Sequence, residues 1–283
     1  MAILEINIGD ERCTYNYPKG WDELSPRQYR KTCEIIASNN DLGLVRVKLL
    51  MHLLRLKLKW RRPTLETTLI FKLPTPELYT LLHDSDILGW LYAGGGPSKM
   101  MVKKFRHNGR MYYAPPARLT NVCTVELIGA FQCFKEYART KDQQYLDKLI
   151  SLLYRPREKW RFFASFSKKY NKDKREPLNQ VLWEEREKTF KNLNHGIRIA
   201  VLNQFNGHWK IFESKYKYIF VKSRKSEEGT GGLMNLLYDV SGKIFGNMKK
   251  TKMAPADEVF KYVDMQMKMN KDLEKRLKRP KKQ

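Results

Sequence analysis

The helical spacing of the apolar residues constrains this fold more than any other feature of the sequence. Between residues 142 and 153, apolar side chains recur every three or four positions, and Asp142 stands where a helix N-cap is expected. The stripe consists of Tyr145, Leu146, Leu149, Leu152 and Leu153. Because an α-helix has about 3.6 residues per turn, these side chains share one face, which predicts an amphipathic helix.

The same periodicity predicts seven further helices, at residues 26–38, 42–60, 75–83, 123–140, 181–204, 233–245 and 256–278. The first has a capping-box signature, with Ser25 as N-cap, Pro26 at the first helical position and Gln28 at the third. The helix at 142–153 should end at Tyr154-Arg155-Pro156, since proline disfavours helical backbone in the residue before it. Segment 208–223 is aromatic and fits either a helix or a strand.

Two segments have the signature of β-hairpins. Residues 2–17 contain two β-rich runs around Gly9-Asp10-Glu11, and residues 100–114 contain two more around Asn108-Gly109. An Asn-Gly pair favours a type I′ turn, because that turn needs positive φ at both central residues. The predicted fold class is therefore mainly α, with about eight helices and two small β-hairpins, and an α+β fold stays open.

The run SRKSEEGTGG at residues 223–232 is predicted to be a linker. It would separate two domains. The first, 1–222, is mainly helical and includes the N-terminal hairpin at 2–17 and the inserted hairpin at 100–114. The second, 233–283, is a C-terminal helical pair that ends in a basic tail.

The charge of the chain points to an anionic partner. Its 283 residues include 55 Lys and Arg against 30 Asp and Glu, a net charge of +25. An excess of this size attracts nucleic acid, anionic lipid or acidic protein. Cations are also dense in the helix at 42–60, where they fit either long side chains reaching solvent from a core helix or a basic ridge.

Two segments supply the candidate contacts with a polyanion. From residues 155–175 they are Arg155, Arg157, Arg161, Lys168, Lys169, Lys172, Lys174 and Arg175. From the inserted hairpin they are Lys103, Lys104, Arg106 and Arg110. Trp160, Phe163 and Phe166 lie among the first group at helical spacing, which favours packing in a core over stacking on unpaired bases.

The sequence contains no P-loop, no dinucleotide-binding glycine motif, and no HExxH or GxSxG pattern. Its four cysteines and five histidines lack metal-ligand spacing, so no metal or cofactor is predicted. These absences predict a non-enzymatic protein, with a polynucleotide-acting enzyme as a minor alternative. Neither a membrane span nor secretion is expected, because no apolar run of about 18 residues occurs and MAILEINIGDERC lacks a signal-peptide pattern.

Four stretches carry a resemblance to a known group of proteins. They are WDELSPRQY at 21–29, the leucine-rich helix behind it, YLDKLISLLYRP at 145–156 and LLYDVSGKIFG at 236–246. Their order resembles that of poorly characterised proteins from the structural gene clusters of tailed phages and prophages of Bacteroidetes-type hosts.

The resemblance implies a non-enzymatic tail or connector component, or an assembly factor, that works in the host cytoplasm and meets other virion or assembly proteins. It transfers no functional residues to this chain. A place in the mature virion, contact with DNA and a homo-oligomer all stay open. The alternative is a stand-alone, non-sequence-specific nucleic-acid-binding protein.

Overall fold

The computed structural model describes residues 2–8, 11–38, 41–55, 85–157, 173, 175–223 and 231–277. In chain order the helices are α1 (Pro26–Ser38), α2 (Leu42–Leu53), α3 (Trp90–Tyr92), α4 (Thr124–Thr140), α5 (Gln143–Leu153), α6 (Gln180–Phe190), α7 (His195–Lys215), α8 (Lys217–Ser223), α9 (Gly231–Val240), α10 (Met248–Met253) and α11 (Ala256–Leu277). The strands are β1 (Ala2–Ile8), β2 (Glu11–Tyr17), β3 (Lys104–His107), β4 (Arg110–Tyr113) and β5 (Arg155–Pro156). Within the described ranges the fold is mainly α with two small antiparallel sheets, which confirms the predicted class.

The chain divides into two compact units. Unit 1 comprises Met1–Val102 and Asn194–Gly207, and unit 2 comprises Lys103–Leu193 and His208–Gln283. The C-terminal helices α9, α10 and α11 lie in the same unit as α4, α5 and α6. Of the predicted linker at 223–232, residues 224–230 lie outside the described residues.

The predicted start and end of α1 are confirmed. The backbone N–H of Ser25 donates to Gln28 Oε1 (3.0 Å), and the N–H of Gln28 donates to Ser25 Oγ (3.3 Å). This reciprocal pair satisfies two backbone donors that the first turn of a helix would leave free. Pro26 opens the helix and Ser38 closes it, as expected from the sequence.

The predicted helix at 42–60 is too long. Asp41 caps α2 by accepting hydrogen bonds from Gly43 N (2.8 Å) and Leu44 N (3.3 Å), but the helix ends at Leu53. Arg55 adopts a left-handed backbone with φ of +57°, which cannot continue a right-handed helix. Residues 56–60 and the predicted short helix at 75–83 lie outside the described residues.

The predicted continuous helix at 181–204 is also wrong, because the chain turns at residues 191–194. Leu193 N donates to Phe190 O (2.8 Å) in this turn, and Asn194 Oδ1 then accepts from Ile197 N (3.3 Å) at the start of α7. The ambiguous segment at 208–223 is helical and forms the end of α7 and all of α8. The helices predicted near 233–245 and 256–278 correspond to α9 and α11, and α10 was not predicted.

Both hairpins are confirmed. β1 pairs antiparallel with β2, and β3 pairs antiparallel with β4. Asn108 and Gly109 have φ of 46° and 75°, as a type I′ turn requires. The third strand, β5, was not predicted: the chain leaves α5 at Tyr154 as expected and then pairs with Tyr112 and Tyr113 of β4.

Close backbone approach, uncharged hydrogen bonds and the Asp22 carboxylate hold unit 1 together. Asp22 accepts from Ser98 N (2.8 Å), Ser98 Oγ (2.7 Å) and Lys99 N (3.1 Å). A Cβ built on Gly96 would lie 1.8 Å from the carbonyl oxygen of Asn203 in α7, so only glycine fits there. Gln204 Oε1 accepts from the backbone N–H groups of Met101 (2.8 Å) and Val102 (2.6 Å). The hydroxyl of Tyr29 donates to Ala200 O (2.6 Å) from α1.

In unit 2 the C-terminal helices join the core through backbone bonds and aromatic contacts. Ala256 N donates to Val122 O (2.9 Å), which ties the start of α11 to the start of α4. Phe260 packs edge-on against Phe212, with ring centroids 4.9 Å apart. The Tyr216 hydroxyl donates to Asp257 Oδ1 (2.6 Å). These bonds explain why 256–263 fold as part of unit 2.

Candidate polyanion-binding surface

The positive charge of the chain is concentrated in unit 2. That unit contains 40 basic and 19 acidic side chains, a net charge of +21. Unit 1 contains 15 basic and 11 acidic side chains, a net charge of +4. The attraction for a polyanion that the composition predicts is therefore a property of unit 2.

Within unit 2, the sheet of β3, β4 and β5 displays a group of exposed cations. We call this group the basic sheet, and it consists of Lys103, Lys104, Arg106, Arg110 and Arg157. The sequence has no acidic residue anywhere between Val102 and Glu126, so the hairpin carries no compensating negative charge. β5 pairs with Tyr112 and Tyr113 of β4, and Pro156 O also accepts from Glu176 N (2.9 Å). The turn of the hairpin therefore extends past β5 as a two-stranded ribbon.

Aromatic packing fixes the position of this ribbon. Phe105 and Tyr112 are buried cross-strand partners whose rings stack with centroids 5.6 Å apart. Both rings contact Phe190 at the end of α6, at 5.8 Å and 4.9 Å. His107 Nε2 lies 2.9 Å from Thr189 O and anchors the ribbon near its turn. Since neighbouring strand residues alternate in direction, Lys104 and Arg106 point away from the face that Phe105 packs.

Arg155 and Arg175 must be removed from the predicted contacts. Their side chains are only 4% and 1% exposed. Arg155 Nη2 lies 2.9 Å from Glu126 Oε2, and Arg175 Nη1 lies 2.8 Å from Glu126 Oε1. The physical reason is desolvation: a guanidinium buried this deeply is stable only when carboxylates neutralise it, and these two are already neutralised.

Asp173 supplies the second carboxylate of this buried cluster. Its Oδ2 lies 2.8 Å from Arg175 Nη2 and 3.4 Å from Arg155 Nη2. Burial alone raises the pKa of Asp173, but the hydrogen bonds and charge of Arg175, together with Arg155, outweigh it and leave the pKa below its usual value. Burial lowers the pKa of the Arg155 guanidinium, and the charge of Glu126 opposes that shift.

Arg186 and Glu176 extend the cluster, with Arg186 Nη1 3.5 Å from Glu176 Oε2. Three guanidinium groups thus meet three carboxylates, and the cluster offers no net charge to an outside partner. Glu126 lies in the first turn of α4 and was not singled out from the sequence. The spacing of Glu126, Ala130 and Cys133, which are all buried, was the available signal for its position on the core-facing side.

For five of the predicted contacts the structure gives no position. Arg161, Lys168, Lys169, Lys172 and Lys174 lie outside the described residues. The predicted packing of Trp160, Phe163 and Phe166 lies outside them too. The five exposed cations of the basic sheet are therefore the part of the candidate surface that has a known geometry.

A groove of about 700 Å³ lies between α4, α5 and α6 in unit 2. Its lining mixes both signs of charge: Lys148, Lys188 and Lys191 stand with Glu136 and Glu187. Lys148 Nζ is 4.0 Å from Glu187 Oε1, and Gln144 Nε2 donates to the same oxygen at 3.1 Å. Because these charges oppose one another, the groove does not extend the positive surface.

Two further findings limit the kinds of site in the part of the chain that the structure describes. No group of three or more His, Cys, Asp or Glu side chains there is arranged to hold a metal ion. No helix among the same residues has the length and apolar character needed to cross a bilayer. Comparison with family models, with curated proteins and with solved structures gave no match.

Proposed function

We propose that this chain is a non-enzymatic protein of tailed-phage particle assembly, at the tail or connector, whose unit 2 binds the phosphate backbone of nucleic acid. The assembly role is supported by the resemblance of 21–29, 145–156 and 236–246 to proteins of phage structural gene clusters. The nucleic-acid role is carried by one observation: five exposed cations lie on and beside the sheet of β3, β4 and β5, and its hairpin contains no acid. Lys104 and Arg106 lie on the side away from Phe105, and Arg110 lies on the side of Tyr112.

Counterion release gives such a surface its affinity. Each phosphate that a Lys or Arg neutralises releases condensed cations, so the logarithm of the binding constant falls with the logarithm of salt by about 0.9 per contact on duplex DNA. The aromatic anchoring of the ribbon at Phe105, Tyr112 and Phe190 holds the cations in place before binding. Less side-chain and loop ordering is then needed when the complex forms.

The ribbon also has a shape that suits duplex DNA. The major groove is about 12 Å wide and admits a two-stranded β-ribbon. No helix-turn-helix, zinc-finger or RNA-binding signature occurs in the sequence. We therefore expect backbone contacts without base readout, and an affinity that depends on salt far more than on DNA sequence.

The experiment measures binding of the full chain to a duplex DNA across a range of salt concentrations. The test variant replaces Lys103, Lys104, Arg106 and Arg110 with alanine. The matched control replaces four exposed cations of unit 1, Lys19, Arg27, Arg30 and Lys48, and so removes the same charge. We expect the test variant to lose about 3–4 units of salt slope, and the control to lose less than one. Equal losses in both variants would show that net charge alone drives binding.

The same surface supports a second function, a nucleic-acid-binding protein that acts outside any particle. The two are separated by mass spectrometry of purified phage particles and by deletion of the coding sequence. The assembly role predicts either the chain in the particles or a block in tail or connector formation after deletion. If particles lack the chain and form normally without it, the assembly role is excluded and the stand-alone role remains.

A further inference from the structure

The two neighbouring tyrosines of β4, Tyr112 and Tyr113, have opposite surroundings. Tyr112 is buried, and its ring contacts Phe105 (5.6 Å) and Phe190 (4.9 Å). Tyr113 points to the other side of the sheet, because side chains alternate in direction along a strand. Its side chain is partly exposed, and in the described part of the chain it makes no ring contact and no side-chain hydrogen bond. Packing therefore accounts for Tyr112 but leaves the ring of Tyr113 without a partner.

Cations flank Tyr113 on this side of the sheet, which we call the outer face. Lys104 is its cross-strand partner on β3, at a Cβ separation of about 4.5–5.5 Å. Arg106 lies two residues further along β3, and Arg157 lies two residues beyond Arg155, the partner of Tyr113 on β5. Both are diagonal neighbours of the ring, roughly 7–8 Å away. The ring on the central strand thus has positive charge on both neighbouring strands.

These three cations are available to a ligand. Lys104, Arg106 and Arg157 are exposed, and none of them has an ion-pair partner in the described part of the chain. Of the carboxylates placed near β5, Glu126 belongs to the buried cluster and is neutralised there. Glu176 is paired with an arginine of α6. Within the described ranges, the outer face therefore keeps its positive charge.

We propose that the outer face stacks an unpaired nucleotide base on the ring of Tyr113, while Lys104, Arg106 and Arg157 bind the phosphates beside that base. This inference rests on the proposed binding of nucleic acid by unit 2, and it names the preferred form as a single strand. A duplex presents phosphates to the same cations but keeps its bases paired and stacked on one another. Every base has an aromatic face, so stacking favours single strands without selecting a sequence.

The free ring is the observation that favours a base over other anionic groups. Phosphates alone, lipid headgroups or carboxylates of an acidic protein would use the three cations and leave the ring of Tyr113 uncovered. An aromatic side chain that interleaves with cations is the arrangement that binds a single strand, because the cations follow the backbone and the ring takes a base. Met111, the cross-strand partner of Arg106, adds a partly exposed apolar surface on the same face.

The test measures binding of the full chain to two single-stranded oligonucleotides of equal length, oligothymidylate and an abasic oligonucleotide. Both have the same phosphates and only the first has bases, so the ratio of their dissociation constants reports stacking alone. We expect oligothymidylate to bind about tenfold more tightly, which is the gain expected from one base on one aromatic ring. An oligonucleotide that contains 5-iododeoxyuridine should crosslink on irradiation to the peptide that contains Tyr113.

Three variants separate stacking from charge. Tyr113→Leu should lower the ratio to about one and leave the salt slope unchanged, because it removes a ring and no cation. Tyr113→Phe should keep the tenfold ratio, because stacking uses the ring and not the hydroxyl. The matched control is Tyr92→Leu in unit 1, which removes a tyrosine that is 49% exposed and lies 5.7 Å from Arg46 Cζ. It should leave both the ratio and the salt slope unchanged.

Three results would overturn the inference. They are equal binding of the two oligonucleotides by the wild-type chain, equal reduction of the ratio by Tyr113→Leu and Tyr92→Leu, and binding of polyglutamate as tight as that of oligothymidylate. The proposed function fails in a different way. If bases add nothing but salt-dependent binding persists, only the stacking is wrong; if neither duplex nor single strand binds in a salt-dependent way, the nucleic-acid role itself is wrong.

Discussion

The two units of this protein differ in where they place charge. Unit 1 is close to neutral and is held together by backbone approach at Gly96, by uncharged hydrogen bonds to Gln204 and from Tyr29, and by the single carboxylate of Asp22, which accepts from Ser98 and Lys99. Unit 2 carries nearly all of the excess positive charge, yet its interior cluster of arginines and carboxylates is balanced. The comparison shows that the residues next to a Lys or Arg in the sequence do not indicate whether its side chain is buried in an ion pair or exposed to a partner.

The largest expected effect comes from breaking the buried cluster of unit 2. Glu126→Gln leaves Arg155 and Arg175 with one fewer carboxylate in a buried site, which should lower the free energy of unfolding by about 3–5 kcal/mol. Urea denaturation measures it. The matched control is Glu136→Gln on the same helix, whose ion pair with the exposed Arg139 should be worth no more than about 1 kcal/mol. Similar losses in both variants would mean that the cluster does not stabilise unit 2.

Gly96→Ala tests the close backbone packing of unit 1. The added Cβ would meet the backbone carbonyl of Asn203, which cannot move away as a side-chain end can. We expect a loss of about 1–3 kcal/mol in the free energy of unfolding, as for other overpacked sites. The control, Gly20→Ala, has no atom within 4 Å of the new Cβ and an extended backbone, so it should be near neutral. A neutral Gly96→Ala would contradict the close packing of residue 96 on α7.

A smaller effect should appear in the pH dependence of stability. The pKa of Asp173 in the folded protein lies below its usual value, so its stabilising contribution is present above a pH of about 4 and is lost as pH falls through the lowered pKa. Asp173→Asn removes this contribution. The difference in thermal midpoint between wild type and variant should therefore shrink as the pH is lowered below about 4. A difference that stays constant into acid would mean that Asp173 is not an ionised partner of Arg175.

Cysteine labelling can show which of the two units opens. Of the effects expected here, it concerns stability least. Burial raises the pKa of the Cys33 thiol in unit 1 and of the Cys123 and Cys133 thiols in unit 2 to about 12. The charge of Glu126 adds to the shift at Cys123. At pH 8 all three should label slowly in the native protein. Glu126→Gln should speed labelling of Cys133 and leave Cys33 unchanged, as followed by peptide mass spectrometry; equal acceleration would mean that the units open together.

Local features of this fold could be predicted from the sequence, because neighbouring residues determine them. The capping box of Ser25 and Gln28, the Asp142 cap, and the Asn108-Gly109 turn each depend on a few adjacent residues. The turn at 191–194 was missed because apolar spacing continues across it. No local signal indicated that Arg55 would adopt a left-handed backbone.

The candidate surface could be predicted only in part. Lys103, Lys104, Arg106 and Arg110 are exposed because a two-residue turn holds them on a ribbon, and that turn was predictable. The burial of Arg155 depends on Glu126, 29 positions away, and on Asp173, 18 positions away. Because Arg155 and the exposed Arg157 are separated by one residue, composition could not tell them apart.

The most direct test of the division of charge is a protection map of the full chain with duplex DNA. Surface lysines are acetylated with and without DNA at low salt, and the extent at each lysine is read by mass spectrometry. The account predicts strong protection of Lys103 and Lys104 in unit 2, reversed by added salt, with little change at the exposed Lys19 and Lys48 of unit 1. Equal protection of these four lysines, or protection of Lys19 and Lys48 alone, would contradict the assignment of polyanion binding to unit 2.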